Sequence, residues 1–230
     1  MIKQDVKIIK ADLTKHDFIY LVPLSDLHIG APQTDIDAIK GYIDWIASHK
    51  NAYTLLNGDL FNAATKQSTA ELYEYEEMVT PDKELLMLEA LLKPIKNKIL
   101  AACSGGHELK HLFKTVGADY TWHLMRNLGI EDRYARDGGV LSIKTKPLNS
   151  RDNSFFTAVF THGWGSARTR GAKLRKLEYL ASAFHADMYI ISHDHTQNLT
   201  RDNYLEVPTW EHGKPTIHRK MLVSTGGFLG

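Results

Sequence analysis

Short apolar runs, each ending in a polar loop, set the rhythm of the chain. A run at residues 18–22 reads as a buried strand and passes into Ser25, Asp26, Leu27 and His28. Thr34 and Asp35 then open a helix whose apolar positions Ile36, Ile39, Ile43 and Ile46 recur at helical spacing to about Ser48. Residues 52–56 form a second buried strand, ending in Asn57, Gly58 and Asp59. The polar stretch 69–78 reads as helical. Thr80 as N-cap with Pro81 behind it starts another helix, with Leu85, Leu88, Leu91 and Leu92 as its apolar face. Residues 98–103 are a third strand, running into Ser104, Gly105, Gly106, His107 and Glu108. A helix over 118–128 closes at Gly129.

Beyond Gly129 the pattern changes. Residues 140–144 and 155–160 alternate or run apolar like antiparallel strands, the second ending in Thr161, His162, Gly163 and Trp164. A basic amphipathic helix covers 171–184, and a strand over 187–191 ends in Ser192, His193, Asp194 and His195. Short strands near 204–207 and 217–223 follow. Strands alternate with helices early and pair with one another late, which predicts an α/β fold, a layered β-sandwich of mixed sheets flanked by helices. Every polar cluster falls at the end of a predicted strand, where ligands of such folds bind.

Composition narrows the classes. At 230 residues the chain reads as a single domain over 1–230. A net charge of +1 gives no overall field toward nucleic acid or acidic lipid. The one cysteine, Cys103, excludes an internal disulfide framework and, ending an apolar run, reads as a buried inert thiol. No apolar stretch approaches the ~20 residues of a membrane span, and the N-terminal residues show no signal-peptide pattern, so the expectation is a cytoplasmic protein with no membrane partner.

The chemistry lies in five strand ends: Asp26 with His28, Asp59, His107 with Glu108, His162, and His193 with His195. Residues i and i+2 of an extended backbone share a side, so Asp26 and His28 are expected to converge. Taken singly, an Asp after Gly is an ordinary turn former and a His after a strand an ordinary surface residue. Together they form an oxygen- and nitrogen-donor set suited to manganese, iron or zinc rather than a thiolate zinc site.

This ordered set, Asp26-x-His28, Gly58-Asp59, Gly106-His107-Glu108, His162 and His193-x-His195, resembles the calcineurin-like metallophosphoesterases over residues 25–195. The resemblance implies a helix-flanked β-sandwich around two divalent metal ions, manganese foremost, with iron, zinc and nickel as the other candidates. It implies Asp26, His28 and His195 on one metal, Asp59 bridging, and His162 and His193 on the second. His107 would be the acid–base residue, with Glu108 its neighbour in the motif. Two positions depart from the family pattern. Ser192 replaces a glycine, and Gly106 replaces an asparagine whose amide ligates the second metal, so that site is expected to be the weaker.

The implied activity is phosphoester hydrolysis by a bridging hydroxide. Phosphodiester bonds of nucleic acid or nucleotides are the expected substrate, and Gly58-Asp59-Leu60-Phe61 resembles the nuclease branch that includes the exonucleases of double-strand-break repair. A phosphomonoesterase, a cyclic-nucleotide phosphodiesterase and a non-catalytic phosphate- or nucleic-acid-binding module are the alternatives. Trp164, Arg168, Arg170 and Lys173, close after His162, are candidate substrate contacts. His107-Glu108-Leu109-Lys110-His111 also fits the zinc-protease pattern His-Glu-x-x-His. That reading leaves the other six donors without a role.

Overall fold

The computed structural model describes residues 6–64, 79–148, 150–165, 167, 169–207 and 214–229. The helix expected over 69–78 and Arg168 lie outside the described residues. The elements, in chain order, are strand β1 (Lys7–Asp12), β2 (Tyr20–Leu24), helix α1 (Ile36–Ser48), β3 (Ala52–Asn57), α2 (Pro81–Leu92), β4 (Ile99–Cys103), α3 (Tyr120–Asn127), β5 (Gly139–Thr145), β6 (Ser154–Thr161), α4 (Arg170–Ala183), β7 (Met188–Ile191), β8 (Asn198–Glu206) and β9 (Thr216–Ser224). A π-helix, Glu108–Phe113, leads from the β4 loop toward α3.

Two sheets face each other. One has three parallel strands in the order β2-β3-β4, and the other six in the order β1-β5-β6-β7-β9-β8. In the larger sheet the β1–β5, β6–β7 and β7–β9 pairings are parallel, whereas β5–β6 and β8–β9 are antiparallel. Every residue of β3 is buried, and its two faces divide by the two-residue period of a strand. Tyr53 and Leu55 join Leu141, Ile143, Phe160 and Ile190 between the sheets. Ala52 and Leu56 face the other way, toward Ile39, Ile46, Leu88 and Leu124 of the helices. Leu177 and Leu180 of α4 cover the outer side of the larger sheet against Val159 and Tyr189. The layers are therefore helix, sheet, sheet, helix, the mixed architecture expected from the sequence.

Three differences have physical causes. The first strand begins two residues later than the apolar run, and Phe18 and Tyr20 are exposed because β2 is a sheet edge. Strand β1, whose only apolar pair is Ile8 and Ile9 between lysines, and the polar first half of β8 are not expected from the sequence; both are sheet edges, and β8 is exposed along most of its length. Helix α2 keeps its apolar face at Leu88 and Leu92 but adds a fully buried Glu84. Among the described residues no helix is long and apolar enough to cross a membrane.

Candidate metal centre

Parallel strands deliver their exit loops to one end of a sheet, and here two sheets do so together. The loops after β2, β3, β4, β6 and β7 carry Asp26 and His28, Asp59, His107, His162, and His193 and His195. At five of the donors the backbone is not extended. Asp26 (φ 51°), His28 (φ 45°), Asp59 (φ 47°), His193 (φ 74°) and His195 (φ 48°) all lie in the left-handed region, as does Ala63 (φ 52°). The convergence of Asp26 and His28 thus comes from left-handed turns, correcting the extended-strand expectation. Each such residue costs roughly 1–2 kcal/mol for a side chain bearing Cβ. Surrounding hydrogen bonds impose it. Asp26 N donates to Gly58 O (2.9 Å), His28 N to Asp59 O (3.1 Å) and Ile29 N to Leu60 O (3.0 Å), lacing the β2 and β3 loops together.

The donor atoms fall into three groups, each with its atoms within 4.8 Å of one another: Asp26, His28 and His195; His28, Asp59 and His107; and Asp59, His162 and His193. Asp59 therefore connects the two sides. His28 Nε2 and His195 Nε2 face each other at 3.3 Å. Two nitrogen donors on one tetrahedral ion, each ~2.0–2.1 Å away, stand roughly that far apart. Asp26 Oδ1 lies 3.1 Å from His195 Nε2, and His162 Nε2 lies 3.0 Å from Asp59 Oδ2. Yet Asp26 Oδ1 and His162 Nε2 are buried without a hydrogen-bond partner. Lone pairs crowded together and left unpartnered are what a divalent cation would satisfy, so the residues fit a metal.

Backbone carbonyls set the tautomers, because a carbonyl can only accept. His162 Nδ1 donates to Asn57 O (2.8 Å), leaving Nε2 as the ring atom that could face a metal. His193 Nε2 donates to Gly165 O (2.5 Å), leaving Nδ1. His107 Nδ1 donates to Asn62 O (2.7 Å), leaving Nε2 free to exchange a proton. Burial holds the His28 imidazole neutral, with its pKa lowered to about 4 against the pull of Asp59. Burial also opposes charge on His162, but the adjoining Asp59 carboxylate outweighs it and raises that pKa to about 9. Burial works against the Asp59 charge as well, and His162 nonetheless holds the carboxyl well below its ordinary range.

In overall shape the chain is similar to two solved structures. Vacuolar protein sorting 29 from Cryptosporidium parvum is 14% identical, with a TM-score of 0.40 over 90% of this chain and 73% of that one. A conserved uncharacterized protein from Streptococcus pneumoniae, described as a predicted phosphoesterase, is 15% identical, with a TM-score of 0.37 over 90% and 71%. No protein-family model matches the sequence, and no curated protein matches it.

Residues with no positioning role in the sequence reading hold the donor loops in place. Glu108 is buried and accepts from Leu60 N (2.6 Å) and Phe61 N (3.2 Å) at Oε1 and from Gly105 N (2.9 Å) at Oε2. It fixes the Asp59 loop against the His107 loop, and burial lifts its pKa to about 7. A glutamate so engaged has no access to a water, and His111 joins none of the three donor groups, so the zinc-protease pattern does not assemble. Gly105 is required by close approach: a Cβ there would stand 2.1 Å from Asp59 N. Glu84 Oε2 accepts from Ala63 N (3.0 Å), and its other oxygen presses on Gly30, where a Cβ would lie 2.5 Å away and φ is +107°. Its spacing of four and eight residues from Leu88 and Leu92 was the available signal.

The remaining predicted residues divide. Ser192 Oγ accepts from Asn57 Nδ2 (2.7 Å) and from Thr225 Oγ1 (2.8 Å), tying together the ends of β3, β7 and β9. Cys103 is buried and donates to Asn57 Oδ1 (3.2 Å). Lys173, a candidate substrate contact, donates to Asp194 O (2.8 Å) and Thr196 Oγ1 (2.7 Å), while Lys176 pairs with the Asp194 carboxylate at 2.8 Å. Both lysines brace the His193–His195 loop from α4. Arg170 is exposed at the start of α4, and Trp164 is half exposed beside His162.

Proposed function

We propose that this chain is a metal-dependent phosphoesterase that hydrolyses phosphodiester bonds in nucleic acid or nucleotides through a dinuclear centre. The observation that carries the reading is the linked donor set, in which Asp59 joins an Asp26–His28–His195 group to a His162–His193 group among unpartnered lone pairs. Bound divalent ions would supply Lewis acidity toward the phosphoryl oxygens and lower the pKa of a shared water. Asp26, His28 and His195 would hold one ion, His162 and His193 the other, and Asp59 both. Manganese is the first candidate, since the set has no thiolate.

A cavity of about 240 Å³ opens over this set, lined by His28, Asp59, His107, His193 and His195. His107 lines it while its Nδ1 is held by Asn62 O, so Nε2 is the atom that passes a proton to the leaving oxygen. Gly106 offers no side-chain donor, leaving Asp59, His162 and His193 at the second position. Three protein donors with one position open is the arrangement of catalytic zinc sites, so the glycine weakens the site without abolishing it. The same glycine supports a second reading, a phosphate-binding module with little turnover.

His107→Asn decides between these. Manganese-loaded protein is expected to hydrolyse bis-p-nitrophenyl phosphate, and the variant to lose about 10²–10⁴-fold in kcat with unchanged metal content. Hydrolysis equal in both proteins would refute the assigned role, and no hydrolysis in either would favour the binding module.

A further inference from the structure

A second cavity, of about 460 Å³, is lined by Gly105 and Gly106 and shares His193, but not His28 or His107, with the first. His162 and His193 line it together with Lys110, Lys114, Arg136 and Trp164. Its size falls in the ~300–1,000 Å³ range of small-ligand sites. Among the described residues neither Lys110 nor Lys114 has a carboxylate within ion-pair distance, whereas Arg136 is held by Asp119 at 2.9 Å. Asp137 is the acidic group on the same wall. Gly106 makes the room: a Cβ there would lie 4.0 Å from Lys110 Nζ and 3.9 Å from Asp59 Oδ1. The Lys110 ammonium therefore borders the space that a side chain at 106 would fill, next to the bridging carboxylate. The π-helix, whose wider turn is common at functional sites, is the element that carries Lys110 there. Trp164, 49% exposed, also lines a neighbouring cavity of about 670 Å³ with Arg136, Asp137 and Thr161, so its indole stands at a wall common to both.

We infer that this cavity is a nucleotide subsite, in which Lys110 and Lys114 hold a phosphate and Trp164 stacks on the base. The inference rests on the phosphoesterase reading for its purpose, since it places a nucleotide beside the reacting centre. Its ingredients are those of sequence-tolerant nucleotide recognition: ammonium groups for the backbone and an aromatic face for the ring. The shared chemistry is a phosphate with a planar base, supplied by a free nucleotide or by one unit of a single strand.

Equilibrium binding to metal-stripped protein in EDTA tests this apart from catalysis. The probes are AMP, a five-nucleotide oligodeoxyadenylate and ribose 5-phosphate, and circular dichroism verifies folding of each variant. Binding of AMP is expected, weakened about tenfold by Lys110→Met/Lys114→Met and about tenfold by Trp164→Ala, with the tryptophan change leaving ribose 5-phosphate unaffected. Tighter binding of the oligonucleotide than of AMP would identify a strand as the ligand, and equal binding a free nucleotide. Absence of AMP binding, AMP binding unchanged in the lysine variant, or ribose 5-phosphate binding as well as AMP would overturn the subsite. Binding as expected in a protein that never hydrolyses bis-p-nitrophenyl phosphate would overturn only the phosphoesterase reading.

Discussion

Gly106 and Glu84 show how single residues set the properties of the centre. At Gly106 an added Cβ would meet its neighbours only at 3.9–4.0 Å, ordinary van der Waals contact, and the flexible end of Lys110 is among them. Gly106→Asn should therefore fold normally and supply an amide oxygen to the second position. Calorimetric titration with manganese is expected to show the weaker site tightened about tenfold, the scale of one good ligand interaction; two tight sites already present in the unaltered protein would contradict this.

Glu84 makes a prediction of a different kind. Burial raises its carboxyl pKa from 4.5 to about 8, so the folded protein keeps the proton while the unfolded chain releases it near pH 4.5. The unfolded state then binds fewer protons, and this group's contribution to stability falls as pH rises from about 4.5 to 8. Glu84→Gln has no proton to lose and can still accept from Ala63 N. Urea unfolding at pH 5 and pH 8 should show the variant gaining at least ~1 kcal/mol relative to the unaltered protein over that window; parallel pH profiles would rule it out. At this scale the clustered Asp and His side chains were legible because candidate metal donors are written in residue type. The roles of Glu84, Glu108 and Asn57 were not, because a buried carboxylate or amide that holds a backbone loop looks like any other polar residue until its partners are known.

At the scale of elements, α4 explains how the His193–His195 loop keeps two left-handed histidines. Lys173 reads in sequence as a candidate substrate contact, yet it turns to Asp194 O and Thr196 Oγ1, and Lys176 turns to the Asp194 carboxylate. The Lys176–Asp194 pair is almost fully buried, with side chains 9% and 6% exposed. Lys176→Met would leave a buried carboxylate unpaired, at a cost of ~3 kcal/mol in stability. Thermal unfolding of that variant, with metal content measured alongside, should show both stability and metal retention reduced. Adding Asp194→Asn should recover part of the stability, because the stranded charge is gone. An unchanged melting temperature in Lys176→Met would remove α4 from this role. The helices and buried strands were legible from periodicity. Edge strands β1 and β8 were not, since a strand with little core to face shows little apolar alternation.

At the scale of the molecule, the two sheets bring five loops to one end of the sandwich. A pattern spread from Asp26 to His195 thereby closes into groups whose donor atoms lie within 4.8 Å of one another. The order of the motifs made this convergence legible before the topology was known, whereas the pairing of strands across 100 residues, such as β1 with β5, left no local trace. Anomalous diffraction from crystals grown with manganese tests the central claim most directly. Two peaks are expected, one among Asp26, His28, Asp59 and His195 and a second, weaker one among Asp59, His162 and His193. No peak in these groups, or a single peak between His107 and His111, would contradict the account.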